Sequence, residues 1–155
     1  MRKLMLSLLV ILLMAAPRLL AGEYQPEAKA FEKAFAAGDR AMSSGDMAAA
    51  TIAFQKAVDV STTAVGKGNA LNMLGWIAFQ KAEYAKAKAL YLQAIASDPD
   101  QYWAHNSLGA CLVKEGDLAG AVAEFQKSVE VNSKASDSEA EARVAKAQKN
   151  LDEVQ

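Results

Sequence analysis

Two stretches of this chain repeat one another without a gap: GDMAAATIAFQKAVDV at residues 45–60 and GDLAGAVAEFQKSVEV at residues 116–131. More than half of the aligned positions are identical. A looser third copy lies between them, at residues 82–94. Spacing of this kind indicates an array of similar structural units, each of which buries its apolar face only by stacking on the next.

Each unit has the pattern of two helices joined at a tight corner. An acidic residue follows the corner, as Asp46, Glu83 or Asp117, and is predicted to cap the next helix by accepting its free N–H groups. Apolar residues of the capped helices then recur on one face: Ala50, Phe54, Ala57, Val58, Ala121, Phe125 and Val129. Only three prolines interrupt a composition rich in helix formers, and strand-favouring runs are missing. The predicted fold class is all-α.

These residues make the chain resemble the tetratricopeptide repeat (TPR) family, whose unit is a 34-residue helix pair. The middle repeat matches the family pattern at Leu74, Gly75, Ala87, Tyr91, Ala94 and Pro99, and the third matches at Leu108, Gly109, Gly116, Ala121 and Phe125. The first keeps Gly38, Gly45, Ala50, Phe54 and Ala57, so its front helix is degenerate. The resemblance implies a right-handed α-solenoid whose first helices line a concave groove.

The resemblance places three helix-turn-helix repeats at about 31–64, 68–101 and 102–135, within a domain at 23–155. The first step between equivalent glycines is longer than the second, and the extra residues near 65–68 are expected to lengthen the loop before the middle repeat. A last helix at about 137–154 carries an apolar stripe at Ala140, Val144, Ala147, Leu151 and Val154. It is predicted to be the polar-faced cap that a repeat array needs, with a short coiled-coil contact to a partner as the alternative.

The N-terminal segment has the anatomy of a secretory signal peptide at residues 1–22. Basic Arg2 and Lys3 precede an uncharged run from Leu4 to Ala16, which is shorter than a membrane span. Small residues at Ala21 and Gly22 then offer a cleavage point. The chain is therefore expected to be exported, to the periplasm or the medium. An uncleaved membrane anchor over residues 4–22 is the alternative.

Charge and composition argue against several classes of function. Removing Arg2, Lys3 and Arg18 from the 17 basic residues leaves 14 against 18 acidic residues, a net charge of −4. Nucleic acid requires clustered basic residues, so it is not expected as a partner. One histidine, His105, and one cysteine, Cys111, offer no recognisable catalytic or zinc-binding spacing. The sequence therefore predicts no enzyme, no cofactor and no metal.

The predicted function is a protein–protein interaction module, a scaffold adaptor that holds a polypeptide segment in its groove. The predicted groove residues are Asn72, Trp76, Phe79, Trp103, Asn106, Val113 and Lys114. Asn72 and Asn106 stand 34 residues apart, so their amides can form a ladder along a peptide backbone. Trp76 and Trp103 offer large apolar anchors. The equal alternative is that Trp76 and Phe79 pack between repeats and that Trp103 covers the loop after Pro99. The alternative function is a structural, homo-oligomerising TPR protein anchored by its N-terminal segment.

Overall fold

The computed structural model describes residues 26–134 and 139–154, and these form helices joined by short connections. In chain order the helices are α1 (Pro26–Ser43), α2 (Met47–Val60), α3 (Ala64–Gln80), α4 (Tyr84–Ser97), α5 (Tyr102–Glu115), α6 (Leu118–Ser133) and α7 (Ala140–Asp152). No strand occurs in the described ranges, and the predicted all-α class is confirmed. The predicted signal segment at 1–22 lies outside the described residues.

Tight corners separate the helices of each pair. Gly45 and Gly116 adopt left-handed backbone conformations with φ of 78° and 83°, which a glycine reaches without steric cost. The next residue, Asp46 or Asp117, accepts a hydrogen bond from the backbone N–H three residues on, at 2.9 Å in both cases. These two predicted caps are present and fix the start of α2 and of α6.

The middle corner differs from the other two. Ala82 takes the left-handed position with φ of 58°, although its Cβ makes this conformation costly. Glu83 makes no side-chain hydrogen bond to α4, so the expectation of an acidic cap there was wrong. Glutamate is a poorer cap than aspartate because its longer side chain fits the first turn less well, and Glu83 instead lies 3.4 Å from Lys86.

The two helices of each repeat meet where a glycine lies against an aromatic ring. Gly38, Gly75 and Gly109 on the first helices face Phe54, Tyr91 and Phe125 on the second, and a Cβ on any of these glycines would lie 2.5 to 2.6 Å from a ring carbon. The three rings are almost completely buried. The first and second helix of each repeat can therefore approach closely only because the glycine has no Cβ, and this close approach buries the ring.

The repeats stack because each first helix also carries apolar residues toward the preceding unit. Leu74 and Ile77 of α3 pack on Ala50 and Phe54 of the first repeat, and Leu108 of α5 packs on Tyr91. An ion pair between Lys88 and Glu115, at 2.6 Å, joins α4 to α5 at the surface. The buried residues form four clusters, and the half-buried Leu90 of α4 packs against three of them.

The extra residues before the middle repeat do not lengthen a loop, so that expectation was wrong. They extend α3, which has 17 residues against 14 in α5. Thr63 caps the extended helix, since its hydroxyl accepts a hydrogen bond from the Gly66 N–H at 3.0 Å. Gly66 lies against the ring of Phe31, where a Cβ would come within 3.2 Å of a ring carbon, so the extension packs on α1.

Helix α7 closes the array. Ala147 and Leu151 are buried, and Leu151 joins the core formed by Leu108, Leu112 and Phe125. Glu141 and most other residues of the helix are exposed and polar or small. Within residues 26–134 and 139–154, no helix combines the length and the apolar character that crossing a membrane requires.

Candidate functional site

The contact between each glycine and its aromatic ring defines the orientation of the first helices. Gly38, Gly75 and Gly109 face the second helix of their own repeat. Each residue of an α-helix is rotated by about 100° around the helix axis from the one before it. The residues that follow the three glycines therefore lie on one common flank of the first helices: Asp39, Trp76 and Ala110. Residues six positions before each glycine lie on the same flank. The flanks of α1, α3 and α5 together form the surface we call the groove, which is the place where the predicted binding residues are to be sought.

Trp103 is a large exposed aromatic residue on this surface. It is 39% exposed, and its ring lies 4.4 Å from that of Tyr102. The ammonium of Lys146 on α7 lies 5.2 Å from the centre of the Trp103 ring, within range of a cation–π interaction. The guanidinium of Arg143 lies 4.6 Å from the centre of the Tyr102 ring. Helix α7 therefore borders the groove beside Trp103.

Trp76 is half-buried, in contrast to Trp103. It packs on the cluster of Phe54, Leu74 and Ile77 at the junction of the first and second repeats. The structure thus separates two residues that the sequence treated as equivalent. Trp76 contributes to stacking of the repeats as well as to the groove surface.

The two predicted ladder residues have different surroundings. The carbonyl oxygen of Asn106 accepts a hydrogen bond of 2.8 Å from the Asn150 amide on α7. The side-chain oxygen of Asn72 is buried and has no hydrogen-bond partner among the described residues. The side chain of Asn106 is therefore hydrogen-bonded to α7. The proposed role of Asn72 and Asn106 in binding stays a prediction.

A pocket of about 230 Å³ brings together three of the predicted groove residues, Phe79, Val113 and Lys114. It lies between α5 and α7, and its remaining lining residues are Ala110, Phe125, Asn150, Glu153 and Val154. Phe79 meets Tyr84 edge to face, with ring centres 5.4 Å apart, so one side of its ring is fixed in place. The pocket is mostly apolar inside, with Lys114 and Glu153 as its charged members, and it can take an apolar side chain.

The contribution of α7 to this site was missed from the sequence. Lys146 and Asn150 of α7 and Val154 just after it reach Trp103, Asn106 and the pocket residue Val113 from more than 40 residues away in the chain. The only signal was the apolar stripe of the last helix, which predicted that it packs but not against which surface. The binding role of the seven predicted residues stays a prediction.

Other groups that could carry chemistry have structural partners. Cys111 is buried, and its thiol donates a hydrogen bond to the Tyr84 carbonyl at 3.3 Å. His105 is buried between Glu124 and the Pro99 carbonyl. In the part of the chain that the structure describes, no three histidine, cysteine, aspartate or glutamate side chains are grouped so that they could hold a metal ion.

Comparison with known families agrees with this architecture. Two family models, both described as tetratricopeptide repeat, match residues 68–101 and 90–123. These matches identify residues 68–123 as tetratricopeptide repeats, and the stacked helix pairs confirm the α-solenoid predicted from the sequence. A comparison with curated protein sequences finds no match.

Several solved structures share the fold. PcrH from Pseudomonas aeruginosa superposes with a TM-score of 0.72 at 21% identity, over 87% of this chain and 96% of PcrH. The type III secretion translocator chaperone SycD of Yersinia enterocolitica gives 0.71 at 17% identity, over 82% of this chain and 84% of SycD. The TPR2B domain of yeast Sti1 gives 0.69 at 12% identity, over 82% and 99%. Identities this low show a common fold and nothing more specific.

Proposed function

We propose that this protein is a non-enzymatic adaptor that binds a polypeptide segment of another protein in the groove formed by α1, α3 and α5 and bordered by α7. The observation that carries the proposal is the exposure of Trp103 on the groove surface. Removing a large aromatic ring from water is one of the strongest single contributions to binding between proteins, and such residues are frequent binding anchors.

The pocket between α5 and α7 supports the same function. Phe79, Val113 and Val154 supply apolar walls, and Lys114 and Glu153 supply charged groups. Sites that recognise peptides combine an apolar recess with a few polar groups in this way. A partner segment that covers Trp103 and inserts one apolar side chain into the pocket would bury both surfaces.

The structural neighbours give independent support. PcrH has been solved with the chaperone binding regions of PopD and of PopB, and the Sti1 domain has been solved in a complex with pHsp70. Each of these proteins shares the stacked helix pairs of this chain. The fold is therefore suited to holding a segment of a second protein, and we propose that this chain uses it so.

Crosslinking from the groove tests the proposal. A photoreactive amino acid at Trp103 or Val113 is expected to capture a partner, whereas the same amino acid at Ile52 is not, because Ile52 is 73% exposed on α2 outside the groove. The Trp103→Ala substitution is expected to weaken binding of that partner by at least about tenfold. The Ile52→Ala control is expected to leave binding unchanged. Equal capture from all three positions, or equal effects of both substitutions, would count against groove binding.

We further propose that the protein acts after export, in the periplasm or the medium. The basic start, short apolar run and small residues at 1–22 are the support for this. Intact-mass measurement of the natively expressed protein is expected to show loss of the first 21 or 22 residues. An uncleaved chain in the membrane fraction would favour the anchored alternative, and an uncleaved chain in the cytoplasm would contradict both.

A homo-oligomer is the second candidate, favoured by one observation. One structure of SycD is described as an alternative dimer, and that protein shares the fold of this chain. Light scattering across a range of concentrations distinguishes the two functions. A monomer that binds a partner supports the adaptor, whereas a stable oligomer in which Trp103 is protected supports the structural role.

A further inference from the structure

The groove is not uniform in charge along its length. On α1, Glu32 and Asp39 lie on the groove flank, six residues before and one residue after Gly38. Both side chains are exposed, and within residues 26–134 and 139–154 neither forms an ion pair. The corresponding positions of α3 hold Asn69 and Trp76, which carry no charge. The first repeat therefore presents two carboxylates where the second repeat is neutral.

The opposite end of the groove is cationic. Lys146 lies over the ring of Trp103 at the start of α5, and Lys114 lines the pocket near the end of the same helix. Both lysines are exposed. The negative charge of the pocket residue Glu153, which follows the last residue of α7, is offset by Lys149 of α7 at 3.8 Å. The groove thus runs from negative at α1, through the neutral α3, to positive at α5 and α7.

We propose that this gradient sets the direction in which a segment lies in the groove: basic side chains of the partner lie against Glu32 and Asp39, and apolar or aromatic side chains lie on Trp103 and in the pocket between α5 and α7. The inference rests on the proposed function and adds the chemistry of the partner to it. The partner segment is therefore one with lysine or arginine on one side of an apolar anchor. The reverse orientation places those basic residues beside Lys114 and Lys146.

The charges select orientation more than they add affinity. Each solvent-exposed ion pair contributes little, whereas like charges brought together are disfavoured by a similar amount. Two such positions at each end change the preference between orientations by about tenfold, and the preference falls with added salt. With helix axes spaced by roughly 10 Å, the path from α1 to α7 corresponds to about ten residues of extended chain.

Selection of peptides from a random 12-residue library on the purified protein tests the inference. We expect enriched peptides to carry two or more lysine or arginine residues on one side of an aromatic or aliphatic anchor. A photoreactive group at the basic end of a selected peptide is expected to label α1 and not α7. The double variant Glu32→Lys/Asp39→Lys is expected to bind that peptide about tenfold more weakly and to select peptides without the basic group.

A matched control variant changes the net charge by the same amount, but its substitutions lie outside the groove. Glu27→Lys/Asp59→Lys alters two exposed carboxylates of α1 and α2 that do not share the groove flank, and it is expected to bind the peptide as the unmodified protein does. Enriched peptides without basic residues, labelling of α7 by the basic end, or equal effects of the two double variants would overturn the inference and leave groove binding intact. If no peptide is enriched, the proposed function itself fails, and the inference fails with it.

Discussion

The Nδ1 atom of His105 lies 2.7 Å from a carboxylate oxygen of Glu124, while its Nε2 atom lies 3.0 Å from the carbonyl oxygen of Pro99. Both of these oxygens accept hydrogen bonds, so this arrangement favours the imidazolium form, in which both ring nitrogens donate. Burial lowers the pKa of His105, but the hydrogen bonds to Glu124 and Pro99 outweigh it, and the pKa is raised above its ordinary value. This charged pair joins α5 to α6 and holds the turn before α5.

Stability is therefore expected to depend on pH through His105. A pKa that is raised in the folded protein contributes stability that is complete below the unfolded value of about 6.5 and is lost as the pH rises through the folded value. Urea unfolding at a series of pH values is expected to show this loss above pH 6.5. Because the chain has one histidine, its NMR titration reports the folded pKa directly. A folded pKa at or below 6.5 would contradict the prediction.

Replacing the carboxylate isolates the cause of this shift. In Glu124→Gln the pKa of His105 is expected to fall below its value in the unmodified protein, with a loss of about 1 kcal/mol of stability at pH 6, since the carboxylate acceptor is replaced by a neutral amide oxygen. Glu130→Gln is the control on the same helix. Glu130 pairs with Lys127 and Lys134 instead, and its replacement is expected to leave the His105 titration unchanged.

The contact between Gly75 and Tyr91 is expected to tolerate no larger residue. Alanine is the better helix former by about 1 kcal/mol, but its Cβ would lie 2.5 Å from a carbon of the Tyr91 ring. Gly75→Ala is therefore expected to lose about 1 to 3 kcal/mol in chemical unfolding. Combining it with Tyr91→Leu removes the ring, so the double variant is expected to lose less than the sum of the single losses. Additive losses would mean that the glycine is required for another reason.

The middle corner is expected to gain stability from a glycine. Ala82 has φ of 58°, and a Cβ in this region costs about 1 to 2 kcal/mol. Ala82→Gly is expected to raise the free energy of unfolding by about 1 kcal/mol, measured by urea denaturation. The reciprocal change, Gly45→Ala, introduces a Cβ at φ of 78° with no neighbour in its way, and should lose about the same amount. A neutral result for both would show that these corners relax.

Helix α7 is expected to unfold together with the repeats. Leu151 is 7% exposed in the core with Leu108, Leu112 and Phe125, so Leu151→Ala is expected to lose about 2 to 5 kcal/mol in a single cooperative transition. The matched control is Leu92→Ala on α4, where the side chain is 49% exposed, and a change below about 0.5 kcal/mol is expected. A separate early transition for α7 would instead mark it as an independent unit.

The sequence predicted the elements that depend on short stretches of chain. The caps at Asp46 and Asp117 and the pairing of Gly75 with Tyr91 follow from residues at most 16 positions apart. The periodicity of apolar residues and helix capping act over such distances. The helix pairs, their order and the solenoid could therefore be predicted from the sequence. Even within this range Glu83 was misjudged, because the length of one side chain decides whether a cap forms.

The sequence by itself thus determined that this protein is an array of tetratricopeptide repeats closed by a last helix. Only the tertiary structure decided which side chains meet across the array: His105 with Glu124, Asn106 with Asn150, and Trp103 with Lys146. It also separated the exposed Trp103 from the half-buried Trp76. These outcomes depend on the angle and distance at which whole repeats stack, and that geometry results from many packed side chains acting together rather than from any single motif.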